Sequence, residues 1–204
     1  MLQSLKNDMK AILAKPGSRV HLIGVAGSGM TGLARLLVAL KLNVSGSDLR
    51  STTETRRLEA LGVKINQGHC GELVEGVGMV VYSAAVRSDN PERNRAEKEG
   101  ILTVVRAECL SVLAEQKMAV VVSGMHGKTT TASMLTYVLR CAGSGCSHYI
   151  GADVPLLGAS AAWEDGKHIV IEGDESDGTI QLYQPYGSML LNIEEEHLDY
   201  YRDI

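Results

Sequence analysis

Residues 119–131, AVVVSGMHGKTTT, combine the residue types that bind a phosphate and a metal ion. The apolar beginning predicts a strand, and Gly124 and Gly127 predict a turn into a helix that begins at Lys128. Unpaired N–H groups and the helix dipole favour an anion at such a helix start. Lys128 adds a charge for the β- and γ-phosphates, and the Thr129 hydroxyl is an oxygen ligand for Mg²⁺. The stretch therefore predicts a nucleoside triphosphate site.

This loop is shorter than the common nucleotide-binding loop, because Val122 stands where that pattern has its first glycine. A tight strand–helix turn followed by an unrelated lysine is the alternative interpretation. The strand–turn–helix context favours the phosphate site.

Two acidic segments follow predicted strands further along the chain. EGDESD begins at Glu172 after a strand at 167–172, and EEEHLD follows a strand at 188–193. Because ligands bind at the carboxyl ends of parallel strands, we expect Glu172 and His197 to lie near the phosphate loop. Glu172 beside Thr129 would hold Mg²⁺, and His197 would reach a second metal, although such acidic runs are also common in solvated loops.

A second glycine-rich loop, GSGMTG at 27–32, follows a predicted strand at 19–25 and opens a predicted helix at 30–42. Asp48 ends the next strand, close to the separation expected of a ribose-binding acid. The pattern predicts a pyrophosphate or a similar anion at the helix start without naming the nucleotide. Glycines needed only for close helix–strand packing are the alternative.

Strand-like and helix-like segments alternate along the chain, which predicts an α/β fold with parallel sheets. The remaining predicted strands are 44–47, 63–66, 79–83, 101–105 and 119–123, and the remaining helices are 52–61, 90–99, 108–115 and one from Lys128. Gln116–Lys117 separates a Rossmann-like parallel-sheet domain at 1–116 from the start of a P-loop-type α/β ATPase domain at 117–204.

The composition excludes several classes of protein. A net charge of −4 argues against binding to nucleic acid or anionic membranes. No run approaches the roughly 20 apolar residues of a membrane span, and the amino terminus lacks a signal-peptide core. The four cysteines, including Cys141 and Cys146 near His148, have no zinc-site spacing, which favours reduced thiols. These features predict a cytoplasmic protein.

Eight motifs occur in one order along the chain. They are HLIGVAGSGMTGLA at 21–34, VSGSD at 44–48, QGH at 67–69, YSAAV…NPE at 82–92, RAE at 106–108, GMHGKTTT at 124–131, EGDESDG at 172–178 and NIEEEHLDYY at 192–201. Together these motifs resemble those of the Mur ligases, which build bacterial cell-wall precursors. The resemblance covers nearly the whole chain and is greatest to members that join L-alanine to UDP-N-acetylmuramate.

The resemblance implies that the first domain binds the UDP of UDP-N-acetylmuramate rather than NAD. The residues that it implies for this site are Ala26, Gly27, Ser28, Gly29, Met30, Ser47, Asp48, His69 and Ser83. For ATP it implies Gly124, Met125, His126, Gly127, Lys128, Thr129, Thr130 and Asn192. It also implies Thr129, Glu172 and His197 as Mg²⁺ ligands, with Lys128, Glu172 and His197 in catalysis.

The chemistry that the resemblance implies is amide formation driven by ATP. The muramyl carboxylate attacks the γ-phosphate, and the amine of L-alanine then displaces phosphate from the acyl phosphate. Met125 stands where the family commonly has Thr, and Glu196 where it usually has Asp. The family's central sheet and a third domain extend beyond Ile204, so we expect these residues alone to be inactive or nearly so. Neither the oligomeric state nor the selected amino acid follows from this sequence.

Three alternatives stay open at this point. A related ligase joins UDP-N-acetylmuramate to a tripeptide for recycling, but GSGMTG and GSD look more like the alanine-adding members. An NAD-dependent oxidoreductase would use the 27–32 loop and Asp48, yet it does not need the Gly-Lys-Thr loop. The third alternative is a UDP-sugar-binding module without activity.

Overall fold

The computed structural model describes residues 2–174 and 178–194. The chain forms two compact units, Met1–Val112 and Leu113–Ile204. Both contain a five-stranded sheet with helices, so the predicted α/β fold class is confirmed. In the part of the chain that the structure describes, no helix is long and apolar enough to cross a bilayer.

The first unit is built on a parallel sheet in the order β3-β2-β1-β4-β5. Its strands are β1 (Arg19–Ile23), β2 (Asn43–Asp48), β3 (Lys64–Gln67), β4 (Met79–Tyr82) and β5 (Leu102–Val105). Its helices are α1 (Leu2–Leu13), α2 (Ser28–Ala39), α3 (Thr53–Ala60), α4 (Pro91–Lys98) and α5 (Arg106–Ala114), with a 3₁₀ turn at Gly71–Val74. The chain leaves β1 in one direction and returns on its other side as β4. The carboxyl end of β1 is therefore a switch point where ligands bind in such sheets.

The central strands carry the core of this unit. Val20, Leu22 and Ile23 of β1 are fully buried, as are the apolar residues of β4 beside them. Nearly continuous apolar strands are typical of parallel sheets covered on both faces. Burying each such side chain stabilises the fold by about 1.5–3 kcal/mol, which fixes the strand ends that carry the loops.

Two helix starts differ in how they are capped, and both matter for the site. The Asn90 side chain accepts hydrogen bonds from the N–H groups of Glu92 and Arg93, and Pro91 occupies the first turn of α4. Helix α2 begins at Ser28, earlier than predicted, and its N-cap is Gly27. This helix start therefore has no side-chain cap, in contrast to α4.

The second unit has strands in the order β10-β6-β9-β7-β8, all parallel except the β7–β8 pair. The strands are β6 (Met118–Ser123), β7 (Ser147–Tyr149), β8 (Ala161–Ala162), β9 (His168–Glu172) and β10 (Gly187–Leu190). Helix α6 (Lys128–Cys141) follows β6, and 3₁₀ turns lie at Pro155–Leu157 and Thr179–Leu182. The core between α6 and the sheet includes Val122, Ala132 and Val170.

His148 on β7 is a buried histidine held in its neutral form. One ring nitrogen, Nε2, lies 2.9 Å from the Ala159 carbonyl oxygen, and Nδ1 lies 2.9 Å from Arg140 Nη2. The guanidinium can only donate, so Nδ1 accepts and Nε2 carries the proton. Burial lowers the pKa of His148 to about 4, with a further contribution from the Arg140 charge.

We expect this histidine to make the second unit sensitive to acid. The unfolded chain binds a proton at the ordinary pKa of 6.5, whereas the folded chain binds it only near 4. Stability should therefore fall as the pH drops through this interval, by about 3 kcal/mol in total. Urea unfolding at pH 7 and pH 4.5, followed by the fluorescence of Trp163, the one tryptophan of the chain, measures the loss in this unit.

His148→Gln is the matching variant, since the glutamine amide can both donate to Ala159 and accept from Arg140. It should lose distinctly less stability between the two pH values than the parent chain. An equal loss in both proteins would contradict the assignment of this acid sensitivity to His148.

Candidate functional site

The loop between β6 and α6 has the backbone form of an anion cradle. Gly124 and Gly127 both have positive φ angles, +131° and +83°, which favour glycine. A Cβ on Gly124 would lie 3.0 Å from the main-chain nitrogen of Asn192, so this position also leaves no room for a side chain. Gly127 is the N-cap of α6 and has no capping side chain. Helix α6 therefore begins directly after the loop, without a side-chain cap.

Asn192, which follows β10, ties this loop to the neighbouring strand. Its side-chain oxygen accepts from the His126 N–H at 2.9 Å, and its amide nitrogen donates to the His126 carbonyl at 3.0 Å. In this structure the Asn192 amide therefore holds the shape of the loop. The His126 N–H, one of the donors predicted for phosphate, is directed at Asn192.

The Lys128 side chain lies over the loop from which α6 begins. Its Nζ donates to the carbonyl oxygens of Gly124 at 2.7 Å and Met125 at 3.4 Å. A half-buried ammonium is thus placed on the loop itself, and Thr130 beside it is exposed. A phosphate entering the turn would meet this charge together with the start of α6.

Glu172, at the end of β9, connects three segments of the second unit. Its Oε1 accepts a hydrogen bond from the Thr129 hydroxyl at 2.7 Å, and its Oε2 accepts from the Gly151 N–H at 2.8 Å. Two of the three predicted metal ligands are thus in direct contact, although they are 43 positions apart in the sequence. The Thr129 oxygen keeps lone pairs for a cation while its hydrogen is donated.

The donor set suits Mg²⁺. Thr129 and Glu172 offer hard oxygen atoms, and Mg²⁺ is commonly held by one or two carboxylates while it keeps several waters. Within residues 2–174 and 178–194, no group of three or more His, Cys, Asp or Glu side chains is arranged to hold a metal. The predicted ligand His197 lies outside the described residues.

In the first unit, the glycine loop after β1 is fastened to the end of β2. The N–H groups of Gly24 and Val25 donate to the Ser47 carbonyl at 2.9 and 3.1 Å. The Ala26 N–H donates to Asp48 Oδ2 at 2.9 Å. Asp48, predicted as a ribose-binding acid, therefore holds the loop in this structure.

The other residues predicted for this site divide by exposure. Gly27 and Ser28 are exposed at the start of α2, and Gly29 is partly buried. Met30 is buried, so its side chain belongs to the core and only its main chain could face a ligand. Ser83 lies close to the loop, because a Cβ on Gly24 would come within 3.3 Å of the Ser83 Cβ.

A buried cluster around Glu92 was missed by the sequence analysis. The fully buried Glu92 carboxylate contacts His21 Nε2 at 3.1 Å, Ser47 Oγ at 2.6 Å and His69 Nδ1 at 3.2 Å. It also accepts from the Cys70 N–H at 3.0 Å. Only the position of an acid at the first turn of α4 could have drawn attention to it.

Glu92 is held as a carboxylate. Burial alone would raise the pKa of Glu92, but hydrogen bonds from His21 and Ser47, the His21 charge and the Cys70 N–H together lower it below its usual range. A buried charge needs such donors. The side chains of Ser47 and His69, both predicted from the sequence, are therefore anchored on a fixed anion.

Family profiles match the chain on both sides of the unit boundary. The profile of the Mur ligase family catalytic domain matches residues 19–118, and that of the Mur ligase middle domain matches residues 122–204. The chain belongs to the Mur ligase family. Both glycine loops of this Mur ligase chain lie within the matched residues.

Curated Mur ligases are similar along most of the chain. The UDP-N-acetylmuramate–L-alanine ligase of Sorangium cellulosum is 45% identical over 182 residues, which cover 89% of this chain and 39% of that protein. The enzyme of the same name from Syntrophobacter fumaroxidans is also 45% identical, and the matched region covers 91% of this chain and 40% of that protein. The chain thus spans about two fifths of the length of these relatives.

Solved Mur ligase structures share the fold. The UDP-N-acetylmuramate–alanine ligase MurC from Thermotoga maritima has a TM-score of 0.83 and 28% identity, with 90% of this chain and 43% of that chain covered. The UDP-N-acetylmuramate:L-alanyl-γ-D-glutamyl-meso-diaminopimelate ligase from Neisseria meningitides has a TM-score of 0.84 and 28% identity, with 92% and 64% covered.

Proposed function

We propose that this chain is the nucleotide-binding part of a cytoplasmic ATP-dependent ligase that joins L-alanine to UDP-N-acetylmuramate. In this proposal the first unit binds the UDP portion of the sugar substrate through the loop after β1. The second unit binds ATP through the loop after β6, with Mg²⁺ held by Thr129 and Glu172.

The reaction that we propose has two steps. A carboxylate oxygen of UDP-N-acetylmuramate attacks the γ-phosphorus of ATP, ADP leaves, and an acyl phosphate forms. The amine of L-alanine then attacks the acyl carbon, and phosphate leaves as the amide forms. Phosphoryl transfer of this kind depends mainly on alignment and on neutralising charge.

The residues of the second unit have distinct parts in this proposal. Lys128 and the start of α6 would neutralise the phosphates of ATP, and Asn192 would keep the loop in its binding shape. Mg²⁺, when bound, would neutralise the negative charge on the β- and γ-phosphates. The observation that carries the proposal is the 2.7 Å hydrogen bond from the hydroxyl of Thr129, the last residue of the Gly-Lys-Thr motif, to the carboxylate of Glu172.

The choice of L-alanine over a tripeptide rests on sequence similarity. Relatives named UDP-N-acetylmuramate–L-alanine ligase are 40–45% identical to the chain. The two structural neighbours, one alanine ligase and one tripeptide ligase, have nearly equal TM-scores of 0.83 and 0.84. The overall fold therefore does not distinguish these two activities, whereas the sequence favours L-alanine.

A thermal-unfolding panel tests the two nucleotide assignments on this chain. UDP-N-acetylmuramate, ATP with Mg²⁺, and NAD⁺ are added separately. A ligand at about 100 times its dissociation constant stabilises the folded state by about 2.7 kcal/mol. We expect stabilisation by the first two and none by NAD⁺. Stabilisation by NAD⁺ alone would contradict the assignment of the first unit.

A further inference from the structure

We propose that Glu92 is a positioning residue of the nucleotide site in the first unit, which fixes the proton of His69 on Nδ1 so that Nε2 faces the ligand. The inference rests on the proposed function, because it concerns how that site recognises uridine diphosphate. Glu92 is fully buried and acts through His69, not by touching the ligand.

The number of hydrogens that the polar atoms of the cluster can donate determines the His69 tautomer. The Ser47 hydroxyl has one hydrogen, and its 2.6 Å contact to Glu92 Oε2 uses that hydrogen, because a carboxylate only accepts. The Ser47 oxygen can then only accept from His69 Nδ1, 3.0 Å away. The second partner of Nδ1, Glu92 Oε1 at 3.2 Å, is also an acceptor. His69 Nδ1 must therefore be the donor.

The second histidine of the cluster supports the same state of Glu92. His21 is buried, and its Nε2 lies 3.1 Å from Glu92 Oε2 while its Nδ1 lies 2.9 Å from Ser45 Oγ. With Nε2 as donor to the carboxylate, His21 adds a further hydrogen bond to Glu92, and its Nδ1 bonds the Ser45 hydroxyl, which can donate or accept. Each of these polar atoms is satisfied only while Glu92 is an anion and an acceptor.

His69 stands at the boundary between this cluster and solvent. Its side chain is 18% exposed, and its Nε2 has no hydrogen-bond partner among residues 2–174 and 178–194. With the proton on Nδ1, a neutral His69 presents a lone pair at Nε2. That lone pair suits a hydrogen-bond donor of the nucleoside, such as a ribose hydroxyl or the pyrimidine N–H.

The cluster is joined directly to the glycine loop. The Ser47 side chain belongs to the cluster, and its carbonyl oxygen accepts from the N–H groups of Gly24 and Val25. Glu92 also accepts from the Cys70 N–H, next to His69. One carboxylate thus orients the His69 ring and the strand end to which the loop is fastened. Such indirect partners are typical determinants of how a binding residue is oriented.

The test measures directly which ring nitrogen of His69 carries the proton. In the ¹⁵N-labelled chain at pH 8, without ligand, the ring nitrogens should show Nδ1 protonated and Nε2 bare. Glu92→Gln keeps the shape of the side chain but adds a donor, so the Ser47 hydrogen is released toward His69 Nδ1. We expect the variant to shift His69 toward the Nε2-protonated tautomer and to bind UDP about tenfold more weakly, the size of one strong hydrogen bond.

Glu54→Gln is the matched control in the same unit. Glu54 is partly exposed and pairs with Arg35 and Arg57, so its replacement should change neither the His69 tautomer nor UDP binding. If Glu92→Gln fails to fold, Ser47→Ala serves as the second variant. In Ser47→Ala, Glu92 Oε1 still accepts from His69 Nδ1, so the His69 tautomer should be retained.

Three results would overturn the proposal. They are a neutral His69 protonated on Nε2 in the parent chain, an unchanged tautomer with unchanged UDP affinity in Glu92→Gln, and a tautomer that changes in Ser47→Ala. If UDP does not bind the parent chain, the proposed function of the first unit fails. The ring nitrogens of the ligand-free chain still test the proton position separately.

Discussion

Replacing Lys128 by alanine is expected to reduce ATP turnover by at least about 100-fold in a full-length ligase that contains this chain. The ammonium lies on the phosphate loop, 2.7 Å from the Gly124 carbonyl, where it would neutralise charge on the transferring phosphate. Loss of one such stabilising group typically costs 100- to 1,000-fold in rate. Phosphate release at saturating substrates measures the effect.

Two comparisons make the Lys128→Ala result specific. Lys167→Ala removes an exposed lysine from the same unit, away from the loop, and should keep normal turnover. UDP-N-acetylmuramate binding should be unchanged in Lys128→Ala, because the proposed sugar site belongs to the first unit. A variant that loses binding of both nucleotides would contradict the division into two sites.

The fold class could be predicted because the signals are local. Each predicted strand and helix of the first unit after residue 18 is present, with ends shifted by a few residues at most. Apolar strands and punctuating glycines carry that information within short windows. The end of helix α2 depends on less visible details, including the left-handed conformation of Lys41.

The elements that were missed have weaker local patterns. Half of the residues of helix α1 at Leu2–Leu13 are polar, and the buried Met9 and Leu13 are its main contribution to the core. Strands β7 and β8 are only three and two residues long, and their pairing is antiparallel. Such short segments are defined by their partners across the sheet and not by their own sequence.

The same distinction separates the predicted from the unpredicted parts of the sites. The loop residues Gly124 to Thr129 form one continuous motif, so sequence spacing was sufficient to place them together. The contact of Glu172 with Gly151 and the pairing of Asn192 with His126 arise only from tertiary structure. Glu92 is the clearest case, because a buried acid is not distinguishable from a surface acid by residue type.

Glu172→Gln is expected to remove most Mg²⁺-dependent ATP turnover while leaving the second unit folded. The amide oxygen can still accept from the Gly151 N–H or the Thr129 hydroxyl, so the local structure keeps a partner. The variant lacks the negative charge that a hard cation needs. We expect turnover to fall by at least about 100-fold and the Mg²⁺ concentration for half-maximal rate to rise. A magnesium titration of phosphate release measures both.

Glu164→Gln is the matched control, because it removes an acid from the same unit that pairs with Arg140 on the surface. It should show the parent Mg²⁺ dependence. Thr129→Val, which removes the second oxygen ligand, should shift the titration in the same direction as Glu172→Gln, whereas Thr129→Ser should restore it. If Glu172→Gln keeps the parent Mg²⁺ dependence, the metal does not lie between Thr129 and Glu172, because a Mg²⁺ site loses affinity when a coordinating carboxylate is replaced by an amide.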